Sequence, residues 1–517
     1  MKRLGIDFGS SYIKCSDAKK ETLITLDKKS GGESISKIPN IITYYNDGKT
    51  ILGSRSYKMK NKDELVDSVT VDNIKTRLSD SEWSQSIGNE RSVTVVDVTN
   101  DIMKCLFDMI HEKNKSENDF NVTITTPVCF SERQREIVRR AAENAGFNVE
   151  SVITEPFSSL FYLMRDNMDE NHNVLIMDIG GGTLDICLVS IDNSYDCCVI
   201  KTESTAGMNF GGITINNNII DKILLPKYED KLLPLINDSE NSNLSKWNRL
   251  KLFYAVDECK EEMFTEDYDE DDIDEQHDFI YGSWNDSFEM SFSASDVYNM
   301  LDNIGTAKKI TDLLENVIDD STMICDDITD VFLTGGSSMI PYFKKIVVEY
   351  LEGNGVDDIE SLFELYDELD FEEQAVGSVA LGAGIYNTII AEKSEDIEVK
   401  DKIPFTIFTK DSSGKAVTKL KADCAYKSYR SLEYGIDGTH IASNRIEVFQ
   451  KMPDESGDNV YIGYIPVESE VVGNCTLYRL GIEQDRKVFA EFGLIEGDKN
   501  NAVFVPYGMK QYLEIDV

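Results

Sequence analysis

Positive charge is scarce in this 517-residue chain: 52 Lys and Arg stand against 94 Asp and Glu, a formal net charge of −42. A field of that sign repels nucleic-acid backbones and anionic lipid alike, so neither nucleic acid nor membrane is an expected partner. Histidine is scarce too, at four residues, and the ten cysteines are scattered singly apart from Cys197 and Cys198, with no C-x-x-C pair. That argues against a structural zinc site and a disulfide framework and for reduced, buried thiols. No apolar run approaches the ~20 residues of a spanning helix. The opening MKRLGIDFGS has two basic residues but no apolar core, because Asp7 and Gly9 interrupt it. A soluble, cytoplasmic, monomeric protein is expected.

The two commonest phosphate loops are missing as well. A Walker A loop needs G-x-x-x-x-G-K-[ST]; Gly48-Lys49-Thr50 supplies the end, but Thr43 stands where the first glycine belongs. Asp47–Thr50 therefore predicts a hairpin turn. No G-x-G-x-x-G follows a strand and opens a helix, which argues against a dinucleotide fingerprint. Any phosphate must be held by glycines in hairpin turns.

Two stretches fit that demand. LGIDFGSSYIKCSDA (4–18) and VLIMDIGGGTLDICLVS (174–190) each place an aspartate at the end of an apolar strand, then a small-residue turn, then a returning strand. The repetition predicts a duplicated β-hairpin with a cleft between the copies. Backbone N–H groups in such turns cradle anions, and glycine lets them approach without a Cβ in the way. Carboxylates at the mouth of the cradle, Asp7 and Asp178, suit a Mg²⁺ that keeps several waters. The alternative, that they only cap strand ends, is the weaker one because buried unpaired carboxylates are costly.

The composition, 41% hydrophobic and 28% charged, is globular, and the length suggests about three domains. DVTNDIMKCLFDMIHEKN has helical spacing, VTITTP reads as a strand, and SERQREIVRRAAENAGF reads as a helix with Ser131 as N-cap and Gly146 as C-cap. VFLTGGSSMIPYFKKIVVEYL predicts a strand, a Gly-Gly turn and a helix from near Pro341. AVGSVALGAGIYNTII predicts a small-residue helix suited to close packing. The acidic run EDYDEDDIDE (266–275) predicts a solvated loop. Residues 391–402 are charged and unperiodic, as a linker is. Beyond them RIEVF, NVYIGYI, VFAEFGLI, AVFVPY and YLEIDV read as strands, and DSSG, IDGT and EGDKN as turns. Three units follow: 1–390, a linker at 391–402, and a β-domain at 403–517.

In this order the motifs resemble the 70-kilodalton heat-shock chaperone family, within the superfamily of actin and sugar kinases. GIDFGSS and DIGGGTLD match the family's two phosphate motifs, and TTPVCFSERQREIVRRAAENAGFNVESVITEP its connecting stretch. STAGMNFGG and VFLTGGSSMIP match its glycine pairs, and ALGAGIYNTII its last nucleotide-domain helix. The resemblance covers residues 1 to about 390 by family order, with position, size and strand pattern extending it to the β-tail. It implies a two-lobed, actin-like (ribonuclease H-like) α/β ATPase domain followed by an all-β, sandwich-like domain, with ATP or ADP and Mg²⁺ as cofactors.

Carried over residue by residue, Asp7 and Asp178 hold the magnesium through waters. Gly9, Ser10, Ser11 and Tyr12 of the first turn, and Gly180, Gly181 and Gly182 of the second, surround the phosphates. Lys75, Glu155, Asp178 and Thr183 form the catalytic set, with Asp185 beside them. Gly211, Gly212, Gly335, Gly336 and Ser337 complete the nucleotide contacts. Read without the resemblance, Lys75 is a solvent-facing lysine beside a loose motif, so both readings stand here. Asp257 and Lys260 match the family's ribose-contacting acid and base. The two arginines that grip adenine in the family are Glu261 and Met339 in this chain, and Phe264 replaces a small polar residue. Phe264 and Met339 either sandwich the base or belong to the core.

Pro127 and Arg135 keep the spacing of a pair that relays nucleotide state in the family. The co-chaperone-facing arginine and asparagine are Ser151 and Thr154 here, and DIEVKDKIPF lacks the family's docking leucines. Stimulation by a J-domain co-chaperone is therefore in question, and both that partner and an exchange factor stay open here. No helical pattern follows the tail strands up to Val517, so a lidless β-domain that binds and releases quickly is expected. The leading expectation is an ATP-hydrolysing chaperone whose tail binds a protein or peptide client. A nucleotide-switched regulatory protein with one dedicated partner is the alternative, and a filament-forming protein is disfavoured by the −42 charge.

Overall fold

The computed structural model describes residues 1–28, 34–56, 68–88, 91–117, 119–194, 197–237, 242–265, 268, 272–283, 286–367, 376–392, 397–400, 406–410, 416–420, 445–451, 459–467, 477–482, 488–496 and 503–517. Half of the acidic run at 266–275 lies outside them, and the expected turns at 411–414, 436–439 and 496–500 lie wholly or largely outside.

Two sheets of like design carry the first three-quarters of the chain. In the first, β1 (Lys2–Phe8) turns back antiparallel on β2 (Tyr12–Asp17) and on its other side runs parallel to β3 (Phe120–Thr126), which pairs in parallel with β4 (Asn148–Thr154). In the second, β5 (His172–Ile179) turns back on β6 (Leu184–Asp192), which pairs with β7 (Cys198–Met208), while β5 runs parallel to β8 (Asp330–Thr334). Each sheet thus opens with a hairpin whose first strand also has a parallel neighbour. Strands covered on both faces become continuous apolar runs, and Leu4, Ile6, Phe8, Val122 and Ile124 in one sheet, with Ile176, Ile179, Ile186 and Leu188 in the other, are all fully buried.

Helix boundaries follow local chemistry. Helix α1 (Val95–Lys113) starts at Thr94, whose hydroxyl accepts from Asp97 N while the Asp97 carboxylate accepts from Thr94 N. Helix α2 (Glu132–Ala145) has the same reciprocal cap between Ser131 and Gln134 and stops at Gly146, φ 111°, a left-handed position that suits glycine. Helix α3 (Glu155–Leu163) follows β4 directly, with Pro156 in its first turn. Helix α4 (Ser242–Met263) packs against the strand His277–Ser283 and the helix Leu225–Ile236.

Helix α5 (Ser378–Glu392) is the small-residue helix, and its composition is used. A Cβ on Gly382 would sit 1.8 Å from Ser158 O of α3, and one on Gly5 of β1 would sit 2.2 Å from Ala380 O. Ser16 Oγ donates to Ala380 O at 2.6 Å and Ser158 Oγ to Val379 O at 2.8 Å. Backbone therefore meets backbone on both flanks of α5, where a methyl group has no room.

The segment expected to be a linker is partly regular. Helix α5 runs to Glu392, and Ile397–Lys400 forms β9, an edge strand parallel to β7 with Cys198 opposite Ile397 and Lys201 opposite Lys400. The family's leucines are missing, but a strand ladder is built from main-chain groups.

The tail has a five-stranded sheet, in the order Ala416–Leu420, Ile407–Lys410, Arg445–Lys451, Asn459–Pro466 and Glu514–Ile515, and a three-stranded sheet of Leu477–Ile482, Val488–Glu496 and Val503–Tyr512. Ile407, Val448, Ile462, Ile465, Ala490 and Phe492 fill the core between them. The tail rests on α2: Glu132 N donates to Gln450 Oε1 at 3.0 Å, Arg133 Nε to Asp516 O at 3.0 Å and Arg140 Nη2 to Ile515 O at 3.2 Å. The architecture is the two-lobed, actin-like α/β fold followed by a β-sandwich-like tail. No described helix is long and apolar enough to cross a membrane.

Candidate functional site

The two hairpin turns face each other. A Cβ on Gly181 would come 2.2 Å from Ser11 Oγ, and one on Gly182 2.4 Å from Ser10 Oγ. Only glycine permits that approach without shifting the serines. The first turn is pinned by Asn40, whose Nδ2 donates to Gly9 O and whose backbone N donates to Ser11 O, each at 2.7 Å. The second turn closes through Gly180 N to Thr183 O at 3.0 Å. It is held from beyond by Gly212 N to Gly180 O at 3.0 Å and Ile213 N to Gly181 O at 2.7 Å. Ser337 Oγ also donates to Gly180 O, at 3.3 Å. Gly335, at φ 81°, passes so close that a Cβ would be 2.4 Å from Asp178 Oδ1.

Behind the turns lies a buried ionic cluster. Asp7, Asp178, Asp185, Glu155 and Lys75 are each at most 5% exposed. The Lys75 ammonium pairs with Glu155 Oε1 and lies 5.7 Å from the centroid of the Phe130 ring. Lys75 is therefore not the solvent-facing lysine that the sequence left open. Burial, then the charges of Glu155 and Asp7, push the Asp178 carboxyl up to about 8. Burial, with Glu155 and Asp178 nearby, holds Asp185 well above the usual carboxylate range. Burial also raises Glu155, against the opposing pull of Lys75. At Lys14, burial acts downward, but the Asp7 carboxylate 2.8 Å away outweighs it and raises the ammonium above its ordinary value.

The cluster gathers more carboxyls than ammonium groups, and a bound cation would favour their ionised forms, which burial and mutual repulsion now oppose. Among the described residues no three His, Cys, Asp or Glu gather tightly enough to enclose a metal with protein ligands alone. The residues therefore fit a Mg²⁺ that retains waters, on Asp178 and Asp7, better than a fully protein-coordinated ion.

On the far side of the cleft, α4 supplies Asp257, Lys260 and Glu261. Tyr12 OH donates to Asp257 Oδ2 at 3.0 Å, and Asn216 Nδ2 to Asp257 Oδ1 at 2.7 Å. Lys260 Nζ donates to Asp257 Oδ1 at 2.9 Å and to Asn216 Oδ1 at 2.8 Å. Burial acts to raise Asp257, but Lys260 and these hydrogen bonds prevail and hold its carboxyl below the ordinary range. Lys37 reaches across from the first lobe to Glu261 at 2.6 Å, with its ammonium 4.8 Å from the Tyr12 ring centroid.

Most of the residues predicted from sequence come together here: Asp7, Gly9 to Tyr12, Lys75, Glu155, Asp178, Gly180 to Thr183, Gly212, Asp257, Lys260, Gly335, Gly336 and Ser337 line one cleft. Gly211 lies just behind it, where a Cβ would be 2.4 Å from Gly180 O. Two do not line it. Phe264 is 1% exposed in the core of the second lobe, parallel to Tyr298 at 6.2 Å, because the end of α4 turns it inward. Met339 ends the short turn Gly336–Met339, is half-buried, and is not among the residues lining the cleft. Of the two places the sequence left open for Phe264, the structure gives the core. Sequence reasoning also missed Lys14, Lys37, Asn40 and Asn216. Only Lys14 lay within a quoted motif, and its role depends on the register of β1 and β2.

A path runs from this cluster to the tail. Val128 N donates to Asp185 Oδ1 at 3.1 Å, next to Pro127, and Arg135 Nη1 donates to Thr126 Oγ1 at 2.8 Å. Arg135 belongs to α2, whose first residue, Glu132, holds Gln450 of the tail.

Comparison with known proteins gives a consistent picture. The chain is similar to the chaperone protein DnaK of Mycoplasma mobile, 23% identical over 466 residues, 89% of this chain and 70% of that protein. It is also similar to the chaperone proteins DnaK of Thermoplasma volcanium (24% over 344 residues) and Thermoplasma acidophilum (24% over 345), each match covering 66% of this chain. The chain spans about half the length of the two Thermoplasma relatives, 51% in each case. The model of the Hsp70 protein family matches residues 5–468, and the chain belongs to that family.

Proposed function

We propose that this protein binds and slowly hydrolyses ATP in the cleft between its two hairpins, and that nucleotide state controls what its β-tail holds. The observation that carries the reading is the apposition of two glycine turns at distances only glycine tolerates, with buried carboxylates and Lys75 directly behind them. Phosphoryl transfer needs positioning and charge neutralisation more than covalent chemistry. The turn N–H groups and the Ser10 and Ser11 hydroxyls orient the phosphates. Lys75, held by Glu155, meets charge that develops on the transferred group, and Glu155 and Thr183 position the attacking water. Mg²⁺, when bound near Asp178 and Asp7, screens the phosphate charge. Asp257 and Lys260 form a polar pair suited to sugar hydroxyls.

The route from Asp185 through Val128, Thr126 and Arg135 to α2 and Gln450 supports coupling of the cleft to the tail. The client of this reading is an extended apolar peptide, held by main-chain hydrogen bonds and side-chain pockets of the β-unit. A second reading, a nucleotide switch for one dedicated partner, is favoured by Ser151 and Thr154 at the family's co-chaperone-facing positions. Thermal shifts with ATP, ADP and GTP, each with and without Mg²⁺, test the site through ligand linkage. Stabilisation by at least one nucleotide is expected, and none by any would sink the nucleotide reading. ATP-accelerated release from a diverse peptide panel separates the two functions. Failure of every peptide to bind removes general chaperoning and leaves the switch.

A further inference from the structure

Register places Lys14 directly opposite Asp7 in the β1–β2 ladder, and its Nζ donates to Asp7 Oδ2 at 2.8 Å. The matching place in the second hairpin, opposite Asp178, is Asp185. The two hairpins, alike in topology, thus differ in charge at one equivalent position, an ammonium in one and a carboxylate in the other. Both members of the Lys14–Asp7 pair are sequestered, with side-chain exposures of 13% and 6%. Ile13 and Cys15, which point to the other face of the strand, are fully buried, so β2 is an interior strand at this position. Placing an ammonium there is costly unless it is matched, and its surroundings indicate its use: Lys14 lines the same cleft as Ser10, Ser11, Lys75 and Asp178.

We infer that Lys14 is a resident cation of the phosphate site, neutralising Asp7 so that nucleotide binding depends less steeply on a divalent ion. The inference rests on the nucleotide reading above. Two unmatched carboxylates facing a polyphosphate would repel it strongly in a buried site, and one cation fixed between strands removes half of that repulsion before any ion arrives. The Lys75 ammonium pairs with Glu155, and Lys14 is the ammonium paired with Asp7. A metal ion is then left chiefly to Asp178, the carboxylate without a lysine across the ladder.

The test is equilibrium binding of ADP to the full chain, by calorimetry, in excess Mg²⁺ and in excess EDTA. Wild-type affinity is expected to fall by no more than about tenfold on removal of Mg²⁺, a change of ~1.4 kcal/mol. Lys14→Met is expected to lose more than about a hundredfold in EDTA while losing less than about tenfold in Mg²⁺. Wild-type binding that vanishes in EDTA, or a Lys14→Met variant with the wild-type ratio of affinities, overturns the inference. Absence of ADP binding in Mg²⁺ would instead refute the nucleotide reading itself. Should Lys14→Met fail to fold, the wild-type ratio decides, together with Lys14→Arg. The arginine variant should retain that ratio, and a ratio shifted more than about tenfold counts against the inference.

Discussion

Replacing Lys75 with methionine removes one charge from a pair whose side chains are 2% and 7% exposed. Breaking so buried a pair from one side leaves the other charge uncompensated, at a typical cost of about 3–5 kcal/mol. Glu155 has a partial escape: burial already pushes its carboxyl up, and losing Lys75 removes the main opposing pull, which favours the neutral form. The expected loss for Lys75→Met is therefore at the lower end, about 3 kcal/mol. Glu155→Gln on top of it removes the orphaned charge. The double variant should recover to within about 1 kcal/mol of wild type, a coupling of the size seen between residues in direct contact. Turnover should follow a different course, absent in Lys75→Met and not restored in the double variant, because the ammonium is gone from both. Urea unfolding of the nucleotide-free chain at pH 7 measures the first quantity and phosphate release the second. A Lys75→Met variant within ~0.5 kcal/mol of wild type, the scale of a surface substitution, would refute the argument. So would a double variant no more stable than the single one.

Three further outcomes follow from the structure. Gly382→Ala drives a methyl group to within 1.8 Å of Ser158 O, and should destabilise by about 3 kcal/mol or more, as overpacked cores do. Gly353→Ala, with nothing within 4 Å, should stay within ~0.5 kcal/mol, and equal urea midpoints for the two would contradict the packing described. Burial pushes the thiols of Cys15 and Cys259 up to about 12. The unfolded chain loses these protons near pH ~9 and the folded chain keeps them, so the stability they provide is complete below pH ~9 and disappears as pH rises through about 12, by ~1.4 kcal/mol per unit for each group. A urea midpoint that stays flat from neutral pH through that window in wild type would contradict it. The Lys37–Glu261 pair is part-exposed, so losing it should cost ~0.2–1 kcal/mol. Lys37→Met and Glu261→Gln should each speed release of a fluorescent nucleotide by no more than about fivefold and combine non-additively. Strict additivity would mean that the two side chains do not act across the cleft.

Much of the site was legible because glycine and aspartate at strand ends carry strong local meaning. The pattern Asp-apolar-Gly-small told of hairpins, turns and carboxylates without any knowledge of the sheets. Caps were equally readable: Ser131 and Gly146 bound α2 as their chemistry predicts. What stayed hidden depends on pairing across distance. Lys14 reads as one polar residue in an alternating strand until the ladder sets it against Asp7. Lys37, Asn40 and Asn216 act from segments remote in sequence, and no local pattern announces them. Phe264, left open between a base contact and the core, lies in the core, and its position within a motif could not say which way the end of a helix turns its side chain. The strand Ile397–Lys400 was read as part of a linker because it is held by its main chain, which leaves no side-chain signature.

That strand has a consequence for how the protein must be kept in solution. The strand β7, eleven residues long, pairs with β6 on one side, and on the other Ile397–Lys400 covers Cys198–Lys201. Take the short strand away and a row of main-chain donors and acceptors opens at a sheet edge, the template on which a second chain can add. Any motion that frees the segment leading to the tail also uncaps that edge. Release of the joint and resistance to self-association are therefore tied to the same four residues, and a variant tuned to loosen one will be limited by the other.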